Sequence, residues 1–257
     1  MIVELHILQN FAPSNLNRDD TNSPKECQFG GYRRARISSQ CIKRAIRRNF
    51  NGLARENLAK RTKLLQNELV KHMKQAGKSE EEAKKAATEA VRAMGFEFKD
   101  GDKTEYQLFI GEKEIEAIGS VVLAHWADLT ATKTDEKKLK SIGDELKSKL
   151  DGGKAVDLAL FGRMLADLPL KNIDAACQVA HAISTHKVGV EFDFYTAVDD
   201  LQPKAETGAG MMGDIEFNSA CYYRYTNVDL GQLKRNLGDD ELVRKTVEAF
   251  IRAAVAA

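Results

Sequence analysis

No C-x-x-C pair and no zinc-ligand spacing occurs in this sequence. Its four cysteines, Cys27, Cys41, Cys177 and Cys221, stand far apart, which argues against a disulfide framework or a structural zinc site. They read as free thiols in a reducing cytoplasm. No apolar run approaches the roughly 18 residues of a membrane-spanning helix, and 30% of the residues are charged. The opening MIVELHILQNF lacks the basic start and long apolar stretch of a secretion signal. A cytoplasmic protein with no membrane partner is the expectation. Net charge is almost absent too, since 39 Lys+Arg against 38 Asp+Glu leave +1. That balance would argue against a nucleic-acid partner only if the basic residues were evenly spread, and they are not. At 257 residues the chain is one large domain or two small ones, long enough to bury a core without staples.

Ile2–Leu8 has β-rich composition with partial alternation and predicts a strand. Residues 12–31, with two prolines, three asparagines and a Gly-Gly pair, predict a long irregular segment. Ser38-Ser39 is an N-cap signal for a helix from about Gln40 to Phe50. Residues 53–150 are mostly helical and charged with both signs. Ser79 and Glu82 make a capping box for a helix running to about Met94. A small hairpin is expected around Asp100-Gly101, flanked by Phe96–Phe98 and Tyr106–Ile110. Two more helices follow, near Glu112–Leu129 and Asp135–Leu150. This block reads as a helical insertion whose apolar positions, Trp126 among them, form a core. Beyond it, residues 173–184 pattern as a short buried helix, and Val188–Gly213 is a glycine-rich stretch containing Pro203. Ile215–Tyr225 is the best strand signal, and a final amphipathic helix starts near Asp239. A strand, helix, strand and helix separated by long excursions predict an α+β sandwich with insertions.

Between Tyr32 and Arg48 lie Arg33, Arg34, Arg36, Lys43, Arg44, Arg47 and Arg48 and no acid, with Arg18 and Lys25 just upstream. At about 100° per residue, Ile42, Ala45, Ile46 and Phe50 share one helix face and the basic residues take the other. The helix then docks by its apolar side and turns a cationic strip outward. Its N-terminus at Ser38-Ser39-Gln40 offers unpaired N–H groups and a positive dipole end, which suit a phosphate, and arginine adds bidentate phosphate contacts. On charge alone a solvated basic face explains the segment equally well. The combination of helix cap, glycine pair and basic loop favours a polyanion held by its backbone, with no base-specific code.

Other motifs carry less. Gly208–Gly213 matches G-x-G-x-x-G, but a loop precedes it and a strand follows, the reverse of a dinucleotide fingerprint. A loop with two exposed methionines, able to wedge between bases, accounts for it better. Gly152-Gly153-Lys154 lacks the upstream glycine of a phosphate loop. On a helix His181 and His186 would stand about 140° apart and could not chelate one metal. His6 reads as structural. Asp19-Asp20 and Asp199-Asp200 could hold a divalent ion for a nuclease, although local pairing and Asx turns explain Asp19-Asp20 more simply.

Asn15-Leu16-Asn17-Arg18-Asp19-Asp20, then Phe29-Gly30-Gly31-Tyr32-Arg33-Arg34-Ala35-Arg36-Ile37-Ser38-Ser39-Gln40, closely resembles the N-terminal signature of the CasC family, the backbone subunit of the type I-E CRISPR Cascade complex. Ala180–His186, Thr196–Leu201, Tyr222–Tyr225 and Asn227 extend the likeness over most of the chain, while the middle block matches in character more than in detail. The resemblance implies an α+β fold with an RRM-like (ferredoxin-like) palm at 1–52 and 153–257, a thumb loop at about 188–214 and helical fingers at 53–152. It also implies a non-catalytic subunit, without cofactor or metal, that stacks in copies along a CRISPR RNA beside other Cascade subunits. The thumb of one copy displaces a guide base in its neighbour's grip, and the guide pairs with target DNA in short segments. Carried over residue by residue, the likeness assigns Arg18, Lys25, Ser38, Gln40, Lys43, Arg44 and Arg47 to the RNA backbone. Met164 and Thr196 resemble the positions beside the displaced base. The resemblance implies that chains of the family usually continue beyond the helix ending at Ala257, with a last strand of the palm; if that strand is absent, the sheet has an unpaired edge.

Two other classes of function are weighed against this one. Related CRISPR backbone subunits cut target RNA with a loop aspartate, so a metal-dependent ribonuclease is one. Asp19, Asp20 and Glu26 are its only acids in the corresponding loop, and no general-base histidine is visible beside them. A purely structural scaffold that pairs its basic strip with partner acids is the other.

Overall fold

The computed structural model describes residues 1–53, 55–132, 135–197 and 211–257. In chain order the first elements are β1 (Ile2–Ser14), β2 (Glu26–Phe29), β3 (Tyr32–Ile37), α1 (Ser39–Arg48) and β4 (Ala59–Thr62). Next come α2 (Leu65–Gln75), α3 (Glu80–Ala93), β5 (Phe98–Asp100), β6 (Lys103–Thr104) and β7 (Leu108–Gly111). Then follow α4 (Glu112–Ala124), α5 (Trp126–Thr130), α6 (Glu136–Ser148), α7 (Val156–Phe161), β8 (Cys177–Val179) and β9 (Ala182–Ser184). The last are β10 (Glu191–Ala197), β11 (Met211–Asp229), α8 (Leu230–Leu237) and α9 (Asp240–Ala256). The architecture is mixed α/β with an antiparallel sheet. It has two compact units. A helical unit comprises Met1–Ile2, Phe50–Cys177 and Val228–Phe250; a sheet unit comprises Val3–Asn49, Gln178–Asn227 and Ile251–Ala257.

In the helical unit α2, α3, α4 and α6 surround a core built from Leu65, Leu69, Met73, Val91, Ile118, Val122, Ile142 and Leu146. Ser79 caps α3, its Oγ accepting from the Glu82 N–H at 3.3 Å, but the Glu82 carboxylate accepts from the Ser79 hydroxyl (2.8 Å), so of the expected capping box the N-cap half forms. The buried face of α3 is mostly alanine (Ala83, Ala86, Ala87, Ala90), which lets neighbouring helices approach closely. At Gly143 of α6 a Cβ would lie 2.3 Å from the Ala93 carbonyl oxygen, so only glycine fits that crossing. The expected Glu112–Leu129 helix is two helices, interrupted at His125. The expected hairpin exists around Gly101, with shorter arms, Phe98–Asp100 and Lys103–Thr104. Leu108–Gly111, buried throughout, pairs instead antiparallel with β4 in a separate two-stranded sheet.

The sheet unit has the strand order β1-β11-β9-β3-β2, with β8 and β10 also paired to β11. β1 runs to Ser14, longer than expected. The Gly-Gly pair is not loose: Gly30 and Gly31, at φ +61° and +80°, form a two-residue turn that sets Phe29 opposite Tyr32. Positive φ at both positions is what a tight hairpin demands. The expected helix at 173–184 is wrong. Its segment forms β8 and β9, and β9 takes partners on both sides, Tyr222↔Ser184 on β11 and Ile37↔Ala182 on β3. The helix-like spacing of small residues there yields to ladder hydrogen bonds.

One face of this sheet is covered. Ile42 and Ile46 of α1 pack with Ile7, Val179, Thr226 and Ala254, leaving a void of only about 10 Å³. Arg224, buried on this face, donates to the carbonyls of Ala254 and Ala257 at the end of α9 (2.9 and 2.8 Å) and to Gln9 Oε1 (2.6 Å). Burial lowers its pKa from the usual guanidinium value, yet arginine keeps its charge.

Candidate nucleic-acid interface

The helix α1 forms where the sequence predicts. Ser38 is the N-cap, its Oγ accepting from the Cys41 N–H at 3.3 Å, and Arg47 and Arg48 suit its C-terminal turn. Ile42 and Ile46 are buried, Lys43 and Arg47 half-buried, and Arg44 exposed, so the amphipathic split is realised. No acid lies on this helix.

The Asn-rich loop is ordered by its own side chains. Asp19 Oδ1 accepts from the Thr21 N–H (2.9 Å), the Thr21 hydroxyl (2.8 Å) and the Ser23 N–H (3.0 Å). The Thr21 hydroxyl bond leads in holding the Asp19 carboxyl below its ordinary pKa. This is the anticipated Asx turn, although Arg18 donates to Asn22 Oδ1 (2.8 Å) rather than pairing with the neighbouring acids. Asn17 then joins loop to helix: its Oδ1 accepts the Ser38 N–H (2.8 Å), and its carbonyl accepts the Lys25 N–H (2.8 Å). Arg18, Lys25, Ser38 and Gln40 are therefore gathered at the start of α1, while Lys43, Arg44 and Arg47 continue along it. Asn17 was not among the expected residues; an asparagine among turn-formers just ahead of a helix cap was the available signal.

The helix N-terminus is less open than expected. The Ser39 N–H donates to His181 Nδ1 at 3.2 Å, and the Cys41 N–H is taken by Ser38. His181 also lies 3.4 Å from Arg36 Nη1. Since His181 and His186 flank a strand, the helical geometry assumed for them does not apply. His186 Nε2 accepts from the Cys221 N–H (3.3 Å). Ser38 itself is 6% exposed, so it orients the helix N–H groups from beneath the surface. Arg33 pairs with Glu26. Arg34 donates to the carbonyls of Ser184 and Phe29, and Arg36 to that of Glu26.

Thr196 lies on β10 opposite Met212, on a strand whose side chains are exposed throughout. Met164 belongs to the helical unit and is 81% exposed. It follows Gly162, at φ +75°, and Arg163. Arg163 is bound to both carboxylate oxygens of Glu114 at 2.8 Å, the pair being 1% and 0% exposed. Those oxygens also accept the N–H groups of Gly111 and Gly152 (both 2.7 Å). Asp199-Asp200, Pro203 and the start of the Gly208–Gly213 run lie outside the described residues. Among the described residues no cluster of three or more His, Cys, Asp or Glu side chains could hold a metal ion. Nor is any described helix long and apolar enough to cross a membrane.

The sequence profile of the CT1975-like protein family matches residues 3–257. A chain of a solved "CRISPR RNA-guided surveillance complex, pre-nicking" is similar at 33% identity and a TM-score of 0.90, covering 100% of this chain and 72% of that one. A chain of another "CRISPR RNA-guided surveillance complex" is similar at 29% identity and a TM-score of 0.75, with the same coverage. No curated protein matches.

Proposed function

The chain belongs to the CT1975-like protein family, the CasC-type backbone subunits of Cascade, and from that premise we propose that it grips a CRISPR RNA by its sugar-phosphate backbone without cutting it. The observation that carries this reading is the docking of the Asn15–Lys25 loop onto the start of α1 through Asn17. It joins Arg18, Lys25, Ser38 and Gln40 to the strip of Lys43, Arg44 and Arg47. Such a surface contacts phosphates without reading bases.

In this reading residues 1–52 and 153–257 form an RRM-like palm, 53–152 the fingers and about 188–214 the thumb. Copies stack as a helical filament along the guide in the cytoplasm, with other Cascade subunits beside them. Met164 and Thr196 flank a displaced guide base, and the bases between displaced positions pair with target DNA. The loop geometry favours this over a metal-dependent ribonuclease, because Asp19 spends one carboxylate oxygen on three local hydrogen bonds.

The test is filter binding of single-stranded RNAs of different sequence by the wild type and by a Lys43→Ala/Arg44→Ala/Arg47→Ala variant across salt concentrations. Each phosphate contact on a single strand contributes about 0.7 to the slope of log K against log salt. The variant should lose affinity equally for all sequences, with a slope shallower by about 2. Unchanged binding and slope would refute the assignment.

A further inference from the structure

We propose that the face of the antiparallel sheet opposite α1 is a stacking platform for an unpaired base of a single-stranded nucleic acid, separate from the phosphate strip on that helix. The proposal rests on the reading above, in that the chain engages an RNA strand, and adds a second site with different chemistry.

α1 and the end of α9 cover one sheet face, and among the described residues Phe29 and Tyr223 are exposed on the other. Phe29 from β2, Arg34 from β3, Ile183 from β9, and Tyr223 and Tyr225 from β11 line a groove of about 650 Å³ there, with His181 at its margin. Single exposed rings are ordinary on protein surfaces. Several rings converging beside a cation form a site. Phe29 is 60% exposed and Tyr223 38%.

Both tyrosines are held by their hydroxyls. Tyr223 shares a hydrogen bond with His6 Nδ1 (2.7 Å), and Tyr225 donates to Glu4 Oε1 (2.5 Å) while accepting from Asn227 Nδ2 (3.2 Å). The His6 ring stands between them, with centroids 6.1 Å and 5.1 Å from those of Tyr223 and Tyr225. With the hydroxyls tied down, the rings lose little further entropy when a flat ligand settles on them.

Charge selects the ligand. Arg34 donates to two neutral carbonyls, Ser184 at 3.1 Å and Phe29 at 3.4 Å, neither of which cancels its charge. Arg36 is likewise bound to a carbonyl and to His181. The Glu4 carboxylate beside the groove is engaged by the Tyr225 hydroxyl. Aromatic faces flanked by arginine suit a base that carries a phosphate. The groove is also continuous with the phosphate strip, since His181 both lines it and accepts the first N–H of α1.

The experiment uses single-stranded RNA containing 2-aminopurine, whose fluorescence is quenched by stacking, titrated at several salt concentrations. For the wild type, quenching on binding is expected. A Phe29→Leu/Tyr223→Leu variant keeps apolar bulk but loses the rings. It should lose the quench and bind about tenfold more weakly at every salt concentration with an unchanged slope. Tyr223→Phe keeps the ring, should retain the quench, and serves as the folding control. The Lys43→Ala/Arg44→Ala/Arg47→Ala variant should flatten the slope yet still quench at saturation. Wild-type binding with a salt slope but no quench would overturn this proposal alone, as would a full quench in the double leucine variant. Absence of any RNA binding would overturn the preceding reading as well. A changed oligomeric state in the leucine variant with the quench intact would assign the face to another copy of the chain and also overturn it.

Discussion

The two units treat charge in opposite ways. In the helical unit cations meet acids on the same or a neighbouring element: Lys60 with Glu68 and Glu112, Lys71 with Glu68, Lys74 and Lys84 with Glu80, and Arg92 with Glu89. The Arg163–Glu114 pair is wholly buried. In the sheet unit seven basic residues fall between Tyr32 and Arg48 with no acid among them. A near-zero total charge thus conceals a region where cations and acids interleave and a segment where cations cluster, with Arg33 of that segment meeting Glu26. The lesson is that the distribution of charge over compact units, and not its sum, points to a polyanion.

The largest effect expected on this contrast comes from the buried pair. Glu114→Gln leaves the Arg163 guanidinium buried without its counter-charge, at a cost of about 3–5 kcal/mol. Thermal unfolding should fall by roughly 10 °C; a fall of a degree or two would show that the pair is not what holds the Gly111–Gly152 junction. The triple variant of α1 comes next, and its informative partner is Lys71→Ala/Lys74→Ala/Lys84→Ala in the helical unit. Only the α1 variant should lower the salt slope of RNA binding, and equal slopes in the two would erase the distinction between the units. Ser38→Ala should cost about 1 kcal/mol in a denaturant titration through loss of the helix cap; no loss would mean that Asn17 alone fixes the start of α1.

The smallest effect is a pH response. Hydrogen bonds from Lys74 and then Lys84 hold the Glu80 carboxyl at about 2, below its ordinary 4.5, on an exposed surface. Its folded-state pKa is depressed, so its contribution is present above pH 4.5 and fades as pH falls toward 2. Salt screening keeps it small. An NMR titration should show the low value move toward 4.5 in Lys74→Ala; an unmoved value would remove the ion pairs as its cause.

Local signals in the sequence foretold the elements they control. Ser38 and Ser79 caps, the period of α1 and the aromatic alternation of β11 all appear as read, because cap hydrogen bonds and amphipathic faces depend on residues a few positions apart. What escaped detection depends on distant partners. Residues 173–184 have helix-like spacing but are pulled into ladders by Tyr222 and Ile37. The Gly30-Gly31 turn lies in a segment whose composition predicts irregularity, because the pairing of Phe29 with Tyr32 that makes it a tight hairpin is not visible in composition. The phosphate strip was legible since Lys43, Arg44 and Arg47 share one short helix. The aromatic groove was not, because Phe29, Arg34, Ile183 and Tyr223 come from four strands that only the sheet order brings together. His6 has the structural role expected of it, although its partner Tyr223 lies at the other end of the chain and is not visible in the sequence.

The most direct test of the central claim is lysine footprinting by acetylation, read by mass spectrometry on the chain with and without bound guide RNA. Lys25 and Lys43 should be protected by the RNA, while Lys71, Lys74 and Lys84 keep the reactivity they show without it. Protection of the helical-unit lysines with Lys25 and Lys43 unaffected would contradict the assignment of the RNA backbone to the sheet unit.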